Sequence, residues 1–404
     1  MAAITIRDVR VILTAPAGID LAVVKVETSE PELYGLGCAT FTQRVSAVAT
    51  VVREYLKPLL TGRRIDDIED TWHLMMHSAY WRNGPVLNNA ISGVDEALWD
   101  LKGKRAGMPV YDLWGGRCRN AATLYTHADG ATSEAVEEQV RALMAQGYRY
   151  VRCQLGVYGG HMGGAKQQLV SPRGALPGAY YDPAQYTRAT LGMLAHLRSR
   201  LGDEVELIHD VHERLAPADA IRFACDVEPM RLFFLEDPLA PEDSAWLAHL
   251  RTHAHTPIAL GELFNNPAEW MGLVEARLID FMRVHVSQIG GVTPARKLAA
   301  LCEAYGIRTA WHGPGDLSPV GAAAQLHLDL ACHNFGIQET AAFTEAEREV
   351  FPGTPTIEDG YMYPNERTGF GVDIDERCAA RYPCRWREHA WLQARRPDGT
   401  AARP

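Results

Sequence analysis

Short apolar segments alternate with segments of helical periodicity from about residue 121 onward, and this alternation constrains the fold more than any other feature of the sequence. A repeated strand–helix order predicts a parallel sheet, and eight such units are typical of a closed α/β barrel. No clear helical pattern follows residue 339, so we expect a TIM-type barrel of the (β/α)7–8 kind. The strands are predicted at 123–128, 149–154, 206–211, 232–237, 257–262, 280–285, 307–312 and 335–339. Helices are predicted at 133–146, 184–201, 217–227, 241–252 and 293–305.

The first part of the chain has no such rhythm. Two apolar runs, 4–12 and 21–28, predict antiparallel strands joined by a turn that contains proline and glycine. Helical patterns follow at 45–60, 65–78 and 86–106. We therefore predict an α+β domain, a barrel domain and a C-terminal segment that packs back on the first domain, with bounds of 1–120, 121–353 and 354–404.

Charge and cysteine usage exclude several classes of protein. The net charge is −10, from 40 basic and 50 acidic residues, which disfavours a general nucleic-acid-binding role. Eight cysteines are scattered without a C-x-x-C pair, and this spread favours free thiols in a reducing compartment. Charged residues interrupt the N-terminal apolar run, and no segment has the length of a transmembrane helix. We expect a cytoplasmic protein with neither a nucleic-acid nor a membrane partner.

Three acidic residues close successive predicted strands. Asp210, Glu236 and Glu262 end the motifs LIHD, FFLED and IALGE, and each lies 26 residues after the one before. Because barrel active sites lie at the C-terminal ends of the strands, we expect the three carboxylates side by side. Three converging carboxylates do not all ionise without a cation, and oxygen ligands favour Mg²⁺. The alternative is that acidic strand ends only cap the helices that follow.

Polar side chains also close most of the other strands, and core packing explains such a ring poorly. His212 lies two residues after Asp210, so on an extended chain it would share the face of that residue. An acid–base group and a metal ligand are therefore predicted together. The loop HGPGDLSP, which begins at His312, can bring its backbone and Asp316 close to a ligand. The remaining strand-end residues are His127, Arg152 with Gln154, Arg283 with His285, and Glu339.

An aromatic motif in the first domain has two interpretations. The segment AYWR at 79–82 is compatible with a lid over a substrate and with a cluster of packed aromatic side chains. The sequence favours neither.

Several longer motifs occur in colinear order over most of the chain: ISGVDEALWDLKGKRAGMPVYDLWGG, LIHDVHERL, FFLEDPLAPED, IALGELFNN, HGPGDLSPV, NFGIQE and GVDIDE. In this combination the sequence resembles the enolase superfamily. Within it the chain is similar to the mannonate dehydratase subgroup, with its starvation-sensing-protein-like and D-galactonate dehydratase family members.

The resemblance implies that the α+β domain caps the barrel and is completed by the C-terminal tail. It implies that Asp210, Glu236 and Glu262 bind one Mg²⁺, and that His212 protonates the leaving 3-hydroxyl. The implied reaction is loss of water from an aldonate, an acid sugar, giving a 2-keto-3-deoxy acid. A homo-oligomer is also implied. The implied substrate-binding residues are Thr42, His127, Glu262, Arg283, His312, Asp316 and Glu339.

The catalytic base is implied by the end of the second predicted strand. Arg152 and Gln154 stand where other superfamily members have Lys-x-Lys, as in the mannonate subgroup, whose arginine pairs with a tyrosine base. A nearby arginine stabilises phenolate and lowers the pKa of the tyrosine. Tyr158, six residues after Arg152, is the candidate base, so the predicted catalytic residues are Arg152, Tyr158 and His212.

Three positions depart from the subgroup. They are the loop at 157–164, Thr42 in place of a substrate-binding asparagine, and Pro314 in HGPGD. Because they lie on the substrate side, we expect D-mannonate turnover to be weak or absent while metal binding persists. The alternative hypothesis is an enolase-fold protein that binds acid sugars or metal and has a divergent or non-catalytic function. Racemisation of a carboxylate is a further alternative, and it requires two bases on opposite faces.

Overall fold

The computed structural model describes residues 3–156, 172–385 and 390–403. The chain forms two compact units. The first unit comprises Met1–Thr123, Glu262–Glu275 and Met282–Trp386. The second unit comprises Leu124–Gly261, Ala276–Phe281 and Arg387–Pro404. Within the described ranges, none of the helices has both the length and the apolar character that crossing a bilayer requires.

The first unit opens with the predicted antiparallel pair, Ile6–Thr14 and Leu21–Thr28, which the structure confirms. A third strand, Tyr34–Cys38, joins this sheet through Leu21–Thr28 and was not predicted. Its sequence, YGLGC, carries two glycines and so has a weak strand signal. A Cβ on Gly35 would lie 2.0 Å from the carbonyl oxygen of Ala97, so the glycine lets a helix pack directly on the strand backbone.

That helix, Pro85–Ala106, is the longest of the first unit. Proline occupies its first turn and Gly107 closes it in the left-handed conformation, with φ of +70°. Two other predicted helical regions are confirmed. The first of them passes through a π-helical stretch. The observed segments are Val45–Thr50, Val51–Leu56, Lys57–Leu60 and Ile68–Met76.

The rest of the first unit contains short strands and further helices. The strand predicted at 307–312 is assigned only to Arg308–Thr309, but parallel pairing continues as Ala310 and His312 donate to the carbonyls of Met282 and Val284. The additional helices are Val110–Leu113, Pro267–Glu275, Val292–Ala304, Pro319–Ala331, Glu345–Val350 and Glu376–Ala379. The additional strands are Gln338–Glu339, Thr356–Glu358 and Tyr361–Tyr363.

The C-terminal tail is divided between the two units, and each part of it contacts elements of its own unit. In the first unit, Glu376 accepts hydrogen bonds from Arg10 and Lys25, and the Tyr34 hydroxyl donates to Asp373. In the second unit, Ala394–Arg395 pairs in parallel with Ala179–Tyr180. The domain bounds 1–120, 121–353 and 354–404 remain a prediction.

The second unit contains parallel strands separated by helices, as the sequence predicted. In the parallel pairing, Arg152 lies opposite Ile208 on the next strand, and Asp210 lies opposite Glu236 on the one after it. The strands are Ala122–Gly130, whose first two residues belong to the first unit, then Tyr150–Leu155, Glu206–Asp210, Phe234–Glu236 and Ile258–Leu260. The helices are Ser133–Ala145, Pro183–Leu201, Pro217–Asp226 and Leu247–His253, with 3₁₀ turns at Glu228–Met230, Pro241–Trp246 and Ala390–Gln393. The strand Phe281–Met282 spans the unit boundary.

Candidate active site

Asp210 and Glu236 are the last residues of neighbouring parallel strands and are direct register partners. The predicted juxtaposition of these two carboxylates is therefore present in the structure. Both side chains are fully buried. Two buried carboxylates on neighbouring strand ends require compensation by cations or hydrogen bonds, since burial penalises the ionised form.

Arg152 supplies part of that compensation. Its Nη1 lies 3.1 Å from Asp210 Oδ2 and 3.3 Å from Glu236 Oε1, so one guanidinium nitrogen bridges both carboxylates. Its Nη2 lies 3.1 Å from His127 Nδ1. A guanidinium only donates, so this ring nitrogen of His127 is the acceptor. The structure thus brings the predicted residues Arg152, His127, Asp210 and Glu236 together in the second unit.

A third carboxylate joins Asp210 and Glu236, and it is not the predicted one. Asp237, buried beside Glu236 in the chain, completes a group whose ligand oxygens all lie within 4.8 Å of one another. Its Oδ1 also accepts a hydrogen bond from the amide of Gly261 at 3.2 Å. The motif FFLED carries this residue directly after the strand-end glutamate. Three buried carboxylates against one bridging arginine are a donor set that fits a divalent cation with oxygen ligands.

The equal spacing of the three predicted acids did not translate into equal register. Glu236 pairs with Ala259, and the strand ends at Leu260, so Glu262 lies beyond the strand. The intervening Gly261 has a φ of +140°. Glu262 belongs to the first unit, and its role as a metal ligand stays a prediction.

Tyr125 is a site residue that the sequence analysis missed. Its buried hydroxyl donates to Glu236 Oε2 at 3.0 Å. Tyr125 lies two residues before His127 on one strand, so strand alternation alone places both on the same face. The signal was present in the motif TLYTHA.

His212 follows Asp210 as predicted, but the extended-chain argument for its direction is wrong. The strand ends at Asp210, and His212 has a φ of +51°, in the left-handed region. Its backbone N–H donates to Asp210 Oδ1 at 2.6 Å. This turn, rather than strand alternation, sets the direction of the half-buried ring.

The first unit carries its own buried charged group at strand ends. Arg283, which is fully buried, contacts Glu262 Oε2 through Nη1 and lies 2.6 Å from Glu339 Oε2 through Nη2. The backbone N–H of Gly313 also donates to Glu339 at 3.2 Å. Three predicted substrate-binding residues, Arg283, Glu262 and Glu339, are thus assembled around one guanidinium.

A pair of histidines extends this group. His285 and His312 face each other with 2.7 Å between their Nδ1 atoms, so one of these nitrogens donates and the other accepts. Burial lowers the pKa of His285 to about 4 and lowers that of His312, which keeps the pair neutral. His312 Nε2 lies 3.5 Å from Glu262. Burial raises the pKa of Asp316, whose Oδ1 is buried and has no hydrogen-bond partner among the described residues.

Three further predicted residues form no hydrogen bond or ion pair with these groups among the described residues, or lie outside them. Thr42 opens a short 3₁₀ turn, Thr42–Arg44, in the first unit and is half-buried. Tyr158, the candidate base, lies outside the described residues. Gln154 is buried, and neither amide atom has a hydrogen-bond partner in the described part of the chain.

Comparison with known proteins identifies the family of this chain. A model described as the N-terminal domain of mandelate racemase and muconate lactonizing enzyme matches residues 3–115. A model described as enolase C-terminal domain-like matches residues 135–378. Together they confirm the predicted superfamily and the fold class, an N-terminal capping domain with a C-terminal α/β barrel.

Individual relatives agree over the full chain. D-galactonate dehydratase family members from Enterocloster bolteae and Salmonella enteritidis are 56% and 55% identical, cover 99% of this chain, and are themselves covered to 99% and 98%. The crystal structure of an enolase from Pantoea ananatis with bound D-gluconate and Mg has a TM-score of 0.97 and 52% identity, over 99% of this chain and 100% of that one. The chain therefore belongs to the D-galactonate dehydratase family of the enolase superfamily.

Proposed function

We propose that the protein is a Mg²⁺-dependent dehydratase of sugar acids, a hydro-lyase that converts an aldonate into a 2-keto-3-deoxy acid. The observation that carries this proposal is the buried group of Asp210, Glu236 and Asp237 in a chain whose relatives are named dehydratases. The similar Pantoea ananatis enzyme holds D-gluconate and Mg, which supports both the cofactor and the substrate class.

Asp210 and Glu236 would hold the metal, and the family resemblance implies Glu262 as the third ligand. Asp237 is a competing candidate, because it belongs to the acidic group that the structure brings together. When bound, Mg²⁺ supplies positive charge to the substrate carboxylate and so stabilises the negative charge that develops as the α-proton leaves. The Tyr125 hydroxyl and the Arg152 guanidinium orient Glu236 from outside the ligand set.

The protons are handled by the other predicted catalytic residues. A base removes the proton from C2, and we assign this role to Tyr158, whose phenolate a nearby Arg152 would favour. His212 gives a proton to the 3-hydroxyl, which leaves as water. The resulting enol gains a proton at C3 and becomes the ketone, so the reaction loses one water and consumes no other reactant.

We assign substrate binding to the polar residues that the family resemblance implies. In the first unit, the Arg283 guanidinium, the neutral His312 and the Asp316 carboxyl present donors and acceptors to the hydroxyls of an aldonate. His127 plays the same part in the second unit. Thr42 and Glu339 complete the predicted set. Most of these groups are buried, and a buried polar group without a hydrogen bond costs free energy, so a polar ligand that pairs with them is stabilised.

We propose that D-mannonate is a poor substrate. The differences at 157–164, Thr42 and Pro314 lie on the substrate side, and a base displaced by about 1 Å costs on the order of 10²-fold in rate. Steady-state assays with Mg²⁺ and a panel of aldonates that includes D-gluconate and D-mannonate test this. We expect turnover of at least one aldonate and slow or undetectable turnover of D-mannonate. A kcat/KM for D-mannonate of about 10⁴ M⁻¹s⁻¹ or more would restore a plain mannonate dehydratase.

A further inference from the structure

A buried glutamine with unused hydrogen-bonding groups lies near the end of the strand Tyr150–Leu155. Gln154 is 2% exposed, and neither its Nε2 nor its Oε1 has a hydrogen-bond partner among residues 3–156, 172–385 and 390–403. An amide offers two N–H donors and an oxygen acceptor, so burying it without partners costs free energy. Because most buried polar groups in folded proteins are paired, an amide like this one requires an explanation.

The direction of the Gln154 side chain follows from strand alternation. Successive side chains point to opposite faces of a sheet, so Gln154 shares its face with Arg152. Nη1 of Arg152 lies 3.1 Å from Asp210 Oδ2 and 3.3 Å from Glu236 Oε1, so this face carries the buried carboxylates. Gln154 lies two residues, or about 6.6 Å, closer to the C-terminal end of the strand. That end is where the active sites of barrels lie.

The neighbouring strand Glu206–Asp210 gives the level of Gln154 in the sheet. Arg152 lies opposite Ile208, so the same register continued by two residues brings Gln154 level with Asp210. The amide therefore belongs beside a candidate metal ligand, on the same face of the sheet.

A side-chain hydrogen bond holds the two strands together beyond their last register pair. His209 Nδ1 lies 2.9 Å from the carbonyl oxygen of Cys153, and because a carbonyl only accepts, this nitrogen donates. Nε2 of the neutral ring then accepts from the buried hydroxyl of Tyr186, at 2.7 Å. The backbone directly before Gln154 is thus fixed, and a fixed backbone presents the amide in one place.

We propose that Gln154 binds the 2-hydroxy acid end of the aldonate, with Nε2 donating to a carboxylate oxygen and Oε1 accepting from the C2 hydroxyl. A carboxylate and the adjacent hydroxyl present an acceptor and a donor side by side, and an amide presents the complementary pair. This inference rests on the proposed function, because it requires a sugar acid held beside Asp210.

The charges near Gln154 favour a neutral donor at this position. Asp210 and Glu236 repel a substrate carboxylate, and the Arg152 guanidinium contacts these two carboxylates and His127. An amide adds a directed hydrogen bond to the substrate without adding another charge to a buried group. A donor aimed at the substrate carboxylate also gains strength as negative charge builds up on those oxygens during loss of the C2 proton.

Gln154→Leu tests the proposal, because leucine fills a similar volume without an amide. In isothermal titration calorimetry with Mg²⁺, with binding heat separated from the steady heat of turnover, we expect D-gluconate to bind at least about 10-fold more weakly. That loss is typical of a hydrogen bond to a charged group. The affinity for 2-deoxy-D-gluconate, which lacks the C2 hydroxyl, should fall less, because one of the two contacts is already missing. Gln146→Leu, exposed in the same unit, is the matched control and should bind like the wild type.

Two further measurements separate substrate binding from a structural role. The Mg²⁺ affinity without sugar acid should not change in Gln154→Leu, since the amide lies outside the metal-ligand set. The urea midpoint of the free protein should equal or exceed that of the wild type, because leucine replaces an unpaired buried amide. A glutamine that only supported the fold would show a lower midpoint on substitution.

Four results would overturn the proposal. They are an unchanged D-gluconate affinity of Gln154→Leu, equal weakening of both sugar acids, equal weakening by Gln146→Leu, and a fall in the urea midpoint or the Mg²⁺ affinity. Failure of the wild-type protein to bind D-gluconate or to turn over any aldonate would overturn the proposed function, and this inference with it. Turnover of an aldonate by the wild type with full activity of Gln154→Leu would overturn this inference alone.

Discussion

The Tyr125 hydroxyl and the Arg152 guanidinium both contact Glu236, and the tyrosine contact can be removed without removing a charge. The Tyr125 hydroxyl donates to Oε2 at 3.0 Å, while Arg152 contacts Oε1 at 3.3 Å. Groups that orient a metal ligand typically contribute 10–100-fold to metal affinity. We therefore expect Tyr125→Phe to weaken Mg²⁺ binding by at least about 10-fold, measured by isothermal titration calorimetry. Tyr150→Phe, on the neighbouring strand, is the control, and equal affinity of the two variants would contradict the assignment.

His212 offers a substitution that separates proton transfer from metal binding. Its backbone has a φ of +51°, which asparagine tolerates, and the contact to Asp210 is made by the backbone N–H. His212→Asn should therefore keep the turn and the metal affinity while it lowers kcat by about 10²–10⁴-fold, since the general acid is lost. The exposed His249→Asn is the control. Unchanged turnover in His212→Asn would remove this histidine from the mechanism.

At this scale, sequence reasoning succeeded where chain position alone decides the outcome. Asp210 and Glu236 end adjacent strands, so their juxtaposition follows from strand order. The direction of His212 depends on a backbone dihedral angle that residue spacing does not contain. The register of Glu262 relative to Glu236 depends on where its strand ends. The equal spacing of 26 residues does not show that Glu236 ends a strand whereas Glu262 lies beyond one. Asp237 lies one residue beyond the strand end, so strand alternation does not predict its direction.

The helix Pro85–Ala106 buries three carboxyl groups that the mechanism does not use, Asp95, Glu96 and Asp100, and burial raises the pKa of the first two. Glu96 accepts hydrogen bonds from the Cys38 amide at 2.7 Å and the Ser92 hydroxyl at 3.2 Å, and Asp95 accepts from the Thr293 amide at 2.8 Å. Burial raises the pKa of Glu96 to about 8 and that of Asp95 to about 7. Both groups are therefore more protonated in the folded than in the unfolded protein near neutral pH.

This difference predicts the direction of the pH dependence of stability. A carboxyl whose pKa is raised on folding loses stabilisation as pH rises through the folded value, so the unfolding free energy should fall between pH 6.5 and 8. For Glu96 the loss is roughly 1–2 kcal/mol over this range. Glu96→Gln, which resembles the protonated side chain, should flatten the dependence in urea unfolding. Glu54→Gln, at an exposed position, should not, and a Glu96→Gln slope equal to wild type would refute the account.

Among the elements, helices were located to within a few residues and strands less well. The predicted 217–227 is observed as Pro217–Asp226, because proline marks the start. The strand predicted at 280–285 is regular only over Phe281–Met282. Backbone hydrogen bonds continue beyond it to Val284, but the geometry there is no longer that of a regular strand. The helix Pro319–Ala331 was not predicted, although Ser318 caps it through the Gly321 amide. Its polar residues Gln325, His327 and Asp329 are buried together with the apolar ones, so the helix lacks the exposed polar face that an amphipathic pattern requires.

The whole molecule combines a fold that its alternating pattern predicts with a site whose details depend on tertiary contacts. Strand–helix alternation indicated the barrel, and the strand-end acids indicated the metal centre. Motif resemblance, rather than periodicity, indicated the reaction. The buried carboxylates are consistent with that reaction, because their oxygens suit a divalent cation and a divalent cation stabilises the charge of an enediolate.

The central claim is that this chain removes water from a sugar acid by taking a proton from C2 and replacing the hydroxyl at C3 with a proton from solvent. The most direct measurement is proton NMR of D-gluconate and other aldonates incubated in D₂O with the protein and Mg²⁺. The account predicts a 2-keto-3-deoxy product that carries one deuterium at C3, formed with Mg²⁺ and not after chelation of the metal. Absence of product from every aldonate, or product formation unaffected by chelation, would contradict it.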